Sequence, residues 1–214
     1  MRDAATRQAV VATARALNAR GLNQGTSGNV SARVPDGLLL TPSGMPYEEL
    51  TAADVVAMDW DGGWHCPLSP RKPTTEWRIH RDVLAARPEV GAVVHAHSPW
   101  ATALSCLNRD IPPFHYMVAV AGGDDIPCAA YATFGTQALS DAALAALDGR
   151  RACLLANHGM LALGASLDRA LALAVEVEAL AAQYTRALQV AEPARLSGAE
   201  MARVHERMRG YGRA

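Results

Sequence analysis

An apolar segment that ends in two histidines constrains the fold of this chain more than any other feature. Residues 91–95 contain the unbroken run Ala-Val-Val, which predicts a strand covered on both faces. This run leads into His95 and His97. Alternate side chains of a strand point to the same face, so the two imidazoles should lie about 7 Å apart along that face. Because polar side chains on a buried strand need a partner, we expect the pair to converge on one metal ion.

Two further residues could complete such a metal site. Glu76 lies in Thr-Thr-Glu-Trp-Arg-Ile-His, and His158 lies in Ala-Asn-His-Gly-Met. Three histidines and one carboxylate, with no thiolate, are typical of a catalytic rather than a structural zinc ion. There are two competing interpretations. Glu76 is an ordinary carboxylate at a helix N-terminus, where the helix dipole stabilises it. The histidines are ordinary surface or core residues. The second of these is adopted here for three other histidines, His65, His80 and His205.

Composition and charge exclude several classes of protein. The chain has 214 residues, half of them hydrophobic, and a formal net charge of −1 without a long basic run. This balance argues against binding to nucleic acid or to a membrane surface. The four cysteines form no Cys-x-x-Cys pair, and the N-terminus lacks the apolar core of a signal peptide. We therefore expect one domain over residues 1–214, reduced thiols, a cytoplasmic location, and neither nucleic acid nor membrane as a partner.

Helical and strand periodicities alternate along the chain and predict an α/β fold. Helices are predicted over residues 3–20, 74–86, 166–189 and 197–208, and another is expected after Ser98, with Pro99 at its first position. Strands are predicted over residues 38–40, 55–59, 91–95 and 152–156. Either Thr74 or Thr75 is expected to cap the second helix.

Three pairs of small polar residues predict an anion site. The pairs are Gly28-Asn29, Ser43-Gly44 and Thr74-Thr75, each of which offers hydroxyl, amide or backbone N–H donors. The third pair also lies at a predicted helix N-terminus, where free N–H groups and the helix dipole favour an anion. The alternative is that all three pairs are ordinary turns and caps.

Several segments, in order along nearly the whole chain, form a family pattern. They include Gly-Leu-Asn-Gln-Gly-Thr-Ser-Gly-Asn-Val-Ser (21–31), Leu-Thr-Pro-Ser-Gly-Met-Pro-Tyr (40–47), Thr-Glu-Trp-Arg-Ile-His (75–80), Ala-Val-Val-His-Ala-His (92–97), Ile-Pro-Pro-Phe-His-Tyr-Met (111–117), Tyr-Ala-Thr-Phe-Gly-Thr (131–136) and Asn-His-Gly (157–159). Together they resemble the class II aldolase/adducin family, most closely its L-fuculose-1-phosphate aldolase members. The resemblance implies a single-domain, three-layer fold with a central, mainly antiparallel sheet flanked by helices.

The resemblance also assigns candidate site residues. It implies one zinc ion per subunit, or another divalent metal, held by Glu76, His95, His97 and His158. It implies a phosphate pocket formed by Gly28, Asn29, Ser43, Gly44, Thr74 and Thr75. It implies an aldehyde pocket at Phe134 and Tyr211. Finally, it implies that Tyr116 is a catalytic acid donated across a subunit boundary, because family members resemble cyclic homotetramers.

The activity implied is that of a zinc-dependent class II aldolase, a lyase of carbohydrate metabolism. Its substrate would be a sugar phosphate of the L-fuculose 1-phosphate type, cleaved reversibly to dihydroxyacetone phosphate and a short aldehyde. Zinc would stabilise the enediolate, Glu76 would move the proton at C3, and Tyr116 would protonate the aldehyde oxygen during condensation. Lys72 is the only lysine and lies in a proline-rich loop, so an aldolase that forms an imine is not expected.

Alternatives to this substrate and reaction stay open. An aldolase for 5-deoxyribulose 1-phosphate or 5-(methylthio)ribulose 1-phosphate, in a salvage pathway, would yield the same phosphate fragment and differ only in the aldehyde. Dehydratases and epimerases of the family use the same metal with other acid and base partners, and adducin-type heads keep the fold without catalysis. This chain departs from the fuculose enzyme where Ser27, Thr74-Thr75 and Asn157 replace an alanine, two serines and a histidine.

Overall fold

One mixed sheet forms the centre of the molecule in the computed structural model, which describes residues 2–66 and 68–209. Within these residues the strands are β1 (Asn29–Val34), β2 (Gly37–Leu40), β3 (Val56–Asp59), β4 (Trp64–His65), β5 (Ala92–Ala96), β6 (Cys128–Ala129), β7 (Ala152–Leu155) and β8 (Gly159–Gly164). Their spatial order is β4-β3-β2-β1-β5-β8-β7-β6. Only the β6–β7 pair is parallel in this described sheet. The prediction of a mainly antiparallel sheet is therefore confirmed.

Helices cover both faces of this sheet. They are α1 (Ala4–Ala19), α2 (Trp77–Ala86), α3 (Pro99–Cys106), α4 (Gln137–Ala146), α5 (Leu167–Leu188) and α6 (Gly198–Met208), with a 3₁₀ helix over Tyr116–Ala121. Each predicted helix is present, with ends that differ from the prediction by three residues or fewer at each terminus. No helix in the part of the chain that the structure describes is long and apolar enough to cross a membrane.

The alternation of side chains along β5 separates the two apolar cores. Val94 and Ala96 pack with residues of α1, α3 and α5, whereas Val93 packs with residues of α2 and α4. The result is the three-layer arrangement that the sequence predicts. Because side chains two residues apart share a face, His95 lies on the same side as Val93 and therefore points toward α2.

The beginning of α2 differs from the prediction. The helix starts at Trp77 with Glu76 as its N-cap residue, and neither Thr74 nor Thr75 caps it. Thr74 and Thr75 form a turn ahead of the helix, in which the Thr74 carbonyl accepts from the N–H of Trp77 at 3.2 Å and the Thr74 hydroxyl accepts from the N–H of Glu76 at 3.4 Å. This shift places Glu76, rather than a threonine, at the junction between loop and helix.

The beginning of α3 follows the predicted pattern but is capped from outside. Ser98 is the N-cap residue and Pro99 follows it, yet the Ser98 hydroxyl donates to Glu178 Oε2 at 2.7 Å instead of accepting from its own helix. The Glu178 carboxylate, from α5, also accepts from the N–H groups of Trp100 and Ala101, both at 2.9 Å. A carboxylate from another helix therefore satisfies the free donors at this terminus, which the helix dipole favours.

We predict that Glu178→Ala destabilises the protein. The substitution leaves two backbone N–H groups and one hydroxyl without their acceptor, which should lower the free energy of unfolding by about 1–3 kcal/mol. Urea denaturation followed by circular dichroism measures the change. Glu176→Ala on the same helix is the control, because that carboxylate makes none of these three bonds. Equal stability of the two variants would contradict the prediction.

Candidate metal centre and active-site cleft

Four side chains from three separate parts of the chain converge at one point. Glu76 precedes α2, His95 lies in β5, His97 follows that strand, and His158 precedes β8. Their ligand atoms all lie within 4.8 Å of one another. The Nε2 atoms of His95 and His97 are 2.9 Å apart. The two carboxylate oxygens of Glu76 lie 3.2 Å from His95 Nε2 and 3.1 Å from His158 Nε2.

Pairing of β8 with β5 brings His158 to the cluster. The two strands run antiparallel, with Met160 opposite Ala96. Gly159, at the start of β8, lies so close to the Ala96 carbonyl that a Cβ atom there would collide with it. The preceding Asn157 adopts a left-handed conformation with φ 55°, which makes the tight turn between β7 and β8. Gly159 and the left-handed Asn157 together let His158 reach His95 and His97.

The electrostatics of the cluster favour a cation. Burial opposes ionisation of Glu76, but the nearby charges of His95 and His158 outweigh burial and hold the pKa of this carboxyl well below its usual range. Burial and the charges of its two histidine neighbours lower the pKa of His97 to about 4. At neutral pH Glu76 is therefore ionised and His97 is neutral, the forms in which these two side chains bind metals. Burial lowers the pKa of His95, but the Glu76 carboxylate outweighs burial and raises it, so His95 would release a proton on binding a metal.

Two details of the hydrogen bonding fit a bound divalent metal. The Nδ1 atom of His95 lies 2.9 Å from the Met160 carbonyl, so it donates there and leaves Nε2 to face the cluster. Glu76 Oε1 is buried and has no well-aligned donor among the described residues, although His158 Nε2 is near. Nitrogen and oxygen donors without sulfur match a catalytic zinc site or another divalent metal site. The four residues therefore fit the metal that the sequence predicts.

A cleft of about 350 Å³ opens over this cluster. The residues proposed for phosphate binding all line it, namely Gly28, Asn29, Ser43, Gly44, Thr74 and Thr75. The cleft is also lined by Thr26, Ser27, Pro42, Tyr131, Ala132, Phe134 and Asn157. Glu76, His97 and His158 from the group of four lie in the same lining. Small polar groups and two aromatic side chains thus share one cleft with the candidate metal ligands.

Two paired loops form the polar end of the cleft. Ser43 N–H donates to the Lys72 carbonyl at 3.0 Å, and Pro42 forms an antiparallel bridge with Pro73. This pairing brings residues 43–44 beside residues 74–75. Ser43, Gly44 and Thr75 are exposed, so their donors can reach a ligand, and Gly44 has φ +65°, where a side chain would be strained.

Asn29 and Thr74 are less accessible than the other proposed phosphate residues. Both are buried, and Asn29 Nδ2 donates to Thr74 Oγ1 at 3.0 Å and to Glu76 Oε2 at 2.9 Å. The Asn29 amide therefore links the polar loops to the metal cluster, a connection that the sequence pattern did not predict.

The remaining predicted residues have different positions. Phe134 lines the cleft and is 64% exposed. Tyr116, at the start of the 3₁₀ helix, is 52% exposed and is not among the residues that line the cleft of its own chain. Tyr211 lies outside the described residues.

Sequence reasoning missed several residues that support the cluster. Asn23 Oδ1 accepts from the N–H of His97 at 2.9 Å, and its amide lies against Gly28. Ser105, in the last turn of α3, accepts from the N–H groups of Asn157 and His158, at 3.0 and 3.3 Å. Asn23 is part of the family pattern at residues 21–31, but no spacing rule connects either residue with a histidine far along the chain. Tyr131, which begins another segment of that pattern, was missed as a cleft residue.

We predict that His95→Ala lowers the metal content below one ion per chain. The substitution removes the most deeply buried of the three imidazoles and leaves three of the four candidate ligands, so the affinity for the metal should fall. Elemental analysis after gel filtration measures the content. His65→Ala, at an exposed position on β4, is the control. Undiminished metal in His95→Ala would exclude it as a ligand.

Comparisons with known proteins agree with this geometry. Residues 8–185 match the family model of the class II aldolase and adducin N-terminal domain. The chain is 56% identical to a 5-methylthioribulose-1-phosphate/5-deoxyribulose-1-phosphate aldolase of Rhodospirillum rubrum, over 97% of this chain and 93% of that protein. It is 47% identical to the L-fuculose phosphate aldolase of Escherichia coli K12, over 95% and 94%.

The fold comparison gives the same result. A solved structure of an L-fuculose 1-phosphate aldolase superposes with a TM-score of 0.91 and 38% identity, covering 95% of each chain. The family match spans most of the chain and the relatives cover nearly all of it, so the resemblance inferred from the sequence is confirmed. The chain belongs to the class II aldolase and adducin family and is a class II aldolase, a lyase of the metal-dependent kind.

Proposed function

We propose that this aldolase reversibly cleaves 5-(methylthio)ribulose 1-phosphate or 5-deoxyribulose 1-phosphate to dihydroxyacetone phosphate and a short aldehyde. The observation that carries the proposal is the cleft itself, which is lined by polar loop residues, by three of the four candidate metal ligands and by the aromatic side chains of Tyr131 and Phe134. The relative from Rhodospirillum rubrum, named for both substrates, supports this choice because its identity of 56% exceeds the 47% of the fuculose enzyme. The aldehydes carry a methyl or methylthio group, which suits an aromatic wall.

The metal of the proposal is zinc, held by Glu76, His95, His97 and His158. When bound, such an ion supplies a Lewis acid for the negative charge that bond cleavage leaves on the three-carbon fragment, worth several kcal/mol. The donor set supports zinc, since three imidazoles and one carboxylate suit it and no cysteine takes part.

The polar loops are proposed to bind the phosphate group. Ser43 and Thr75 present hydroxyl donors, and Gly44 presents a backbone N–H, at exposed positions in the cleft. A phosphate bound there would direct the rest of a ketose 1-phosphate toward the metal ligands. Asn29 and Thr74, which are buried behind these residues, would support the pocket rather than supply most of its contacts.

Glu76 is proposed to move the proton at C3. The Glu76 carboxylate lies within 3.2 Å of two imidazoles of the group and is ionised at neutral pH, and it would take a proton from C3 of dihydroxyacetone phosphate during condensation. In cleavage it returns that proton to the same carbon. A positioned base of this kind typically contributes about 10²–10⁴-fold to the rate.

Tyr116 is proposed to act in the cleft of a neighbouring subunit of a cyclic homotetramer. Its hydroxyl would protonate the aldehyde oxygen in condensation and remove the proton of the C4 hydroxyl in cleavage. The support is that Tyr116 is half exposed and lies outside the cleft of its own chain, so its hydroxyl is accessible to the cleft of a neighbouring copy.

L-Fuculose 1-phosphate is the second candidate substrate. It would yield the same phosphate fragment and an aldehyde that is longer by one CHOH unit than the aldehyde from 5-deoxyribulose 1-phosphate. The support is the 47% identity to fuculose enzymes and the TM-score of 0.91 to a solved one. Asn157 lines the cleft beside His158 and is the position where the fuculose pattern has histidine, which favours the first candidate.

Release of dihydroxyacetone phosphate from the three ketose 1-phosphates tests the proposed function. We expect release that a chelator abolishes and added zinc restores, with the highest kcat/KM for the methylthio or deoxy substrate. A hydrophobic wall discriminates small groups by only about 1–3 kcal/mol, so the ranking should span about 10- to 200-fold. A highest value for L-fuculose 1-phosphate would replace the first candidate by the second. No release from any substrate in the presence of zinc would contradict aldolase action on this class and favour a dehydratase or epimerase.

Mixing two inactive variants tests the shared site. Glu76→Gln and Tyr116→Phe should each lose most turnover, because each removes one proton-transfer group. After subunit exchange in a 1:1 mixture, about a quarter of sites would combine an intact Glu76 with an intact neighbouring Tyr116, so activity should return to about that fraction. Coupled assay of dihydroxyacetone phosphate measures it. Activity that stays at the level of the separate variants would contradict a site shared between subunits.

A further inference from the structure

A chain of buried hydrogen bonds leads from Ser31 through His80 and Asn29 to Glu76. Ser31 Oγ lies 2.7 Å from His80 Nδ1, and His80 Nε2 is hydrogen-bonded to Asn29 Oδ1. Asn29 Nδ2 lies 2.9 Å from Glu76 Oε2. Ser31 and His80 are fully buried, and Asn29 is 3% exposed. The sequence pattern suggested only an ordinary histidine at position 80.

The Glu76 carboxylate, at one end of this series of hydrogen bonds, determines the donor and the acceptor in every bond of the series. A carboxylate only accepts, so the amide nitrogen of Asn29 has to face Glu76 and the amide oxygen has to face His80. An amide oxygen also only accepts, so His80 Nε2 has to carry the hydrogen. Burial lowers the pKa of His80 to about 3, so the ring is neutral and its Nδ1 accepts from the Ser31 hydroxyl. One arrangement of hydrogens therefore satisfies all the groups.

Secondary structure makes this arrangement rigid. Asn29 and Ser31 are two residues apart on β1, so their side chains share the face that is covered by α2. His80 lies four residues after Glu76, one turn further along α2. Asn29 is also directly opposite His95 in the β1–β5 pair. The sheet and the helix therefore hold both ends of the chain of hydrogen bonds.

We infer that His80 is a positioning residue that fixes the Asn29 amide and, through it, the Glu76 carboxylate. Without a donor at His80, the buried Asn29 amide oxygen loses its partner, and the amide is held only through Nδ2, by Thr74 Oγ1 and Glu76 Oε2. The amide would then shift toward another donor and pull its nitrogen away from Glu76 Oε2. The carboxylate would then be displaced both as a metal ligand and as a base. This inference deepens the proposed role of Glu76 and rests on it.

The competing explanation is that His80 is only a satisfied core histidine. In that case its removal would lower stability and would act independently of Asn29. If His80 acts through Asn29, the two substitutions share one effect and are not additive. A double-mutant cycle separates the two explanations.

The test compares His80→Leu, which removes the donor, with His80→Gln, whose amide can donate at the position of Nε2. Cobalt(II) affinity, measured by competition with a chelator and by the visible spectrum, reports on Glu76 without any substrate. We expect His80→Leu to lose about 10- to 100-fold in cobalt(II) affinity or in kcat, as is typical when the partner of a metal ligand is removed. His80→Gln should recover most of the loss. His65→Leu, at an exposed position on β4, is the control.

The cycle repeats His80→Leu in an Asn29→Ala background, where we expect less than about a twofold further loss. Equal losses in both backgrounds, or no loss in either, would overturn the inference.

Ser31→Ala, which removes one hydroxyl, keeps the test available if His80→Leu does not fold. It should weaken cobalt(II) binding in the wild-type background and not beside Asn29→Ala, and equal weakening in both would also overturn the inference. Failure of the proposed function would appear separately, as no release of dihydroxyacetone phosphate by the unaltered chain.

Discussion

The negative charge of Glu76, buried among three imidazoles, is the interaction on which the rest of the site depends. A buried carboxylate is costly unless charges or hydrogen bonds compensate it, and here the histidines and the Asn29 amide do so. The compensation is incomplete, because Glu76 Oε1 has no well-aligned donor in the described part of the chain. A divalent cation is the group that would complete it. The fold therefore buries the negative charge of Glu76 without fully compensating it, and a bound cation would supply the rest of the compensation.

Helix α3 lies between His97 and the turn that carries His158, and a side chain of α5 caps its N-terminus. Its N-terminus begins just after His97 and is capped by the carboxylate of Glu178. In its last turn, Ser105 accepts from the backbone of the turn that carries His158. Glu178 of α5 therefore stabilises the segment that follows His97, although α5 contributes none of the four side chains.

Much of the fold and part of the site could be predicted from residue patterns. The helices, the buried β5 strand and the co-location of Glu76, His95 and His158 follow from periodicity, ligand chemistry and family resemblance, because each depends on local spacing or on a complete motif. The start of α2 was predicted too early, because threonine favours N-cap positions and both Thr74 and Thr75 precede the helix in a turn. The Asn29 amide was assigned to phosphate, whereas in the structure it also bonds to Glu76.

The sequence by itself determined the alternating elements, the four candidate metal ligands and the family, because periodicity and ligand identity are properties of short segments. Only the tertiary structure decided which polar groups meet. Glu178 at the N-terminus of α3, Asn23 on His97 and His80 on Asn29 join residues tens of positions apart. No spacing rule connects such pairs, since their contact depends on strand register and on the packing of helices across the sheet. Hydrogen bonds are directional and short, so they form only after that packing has set the distances.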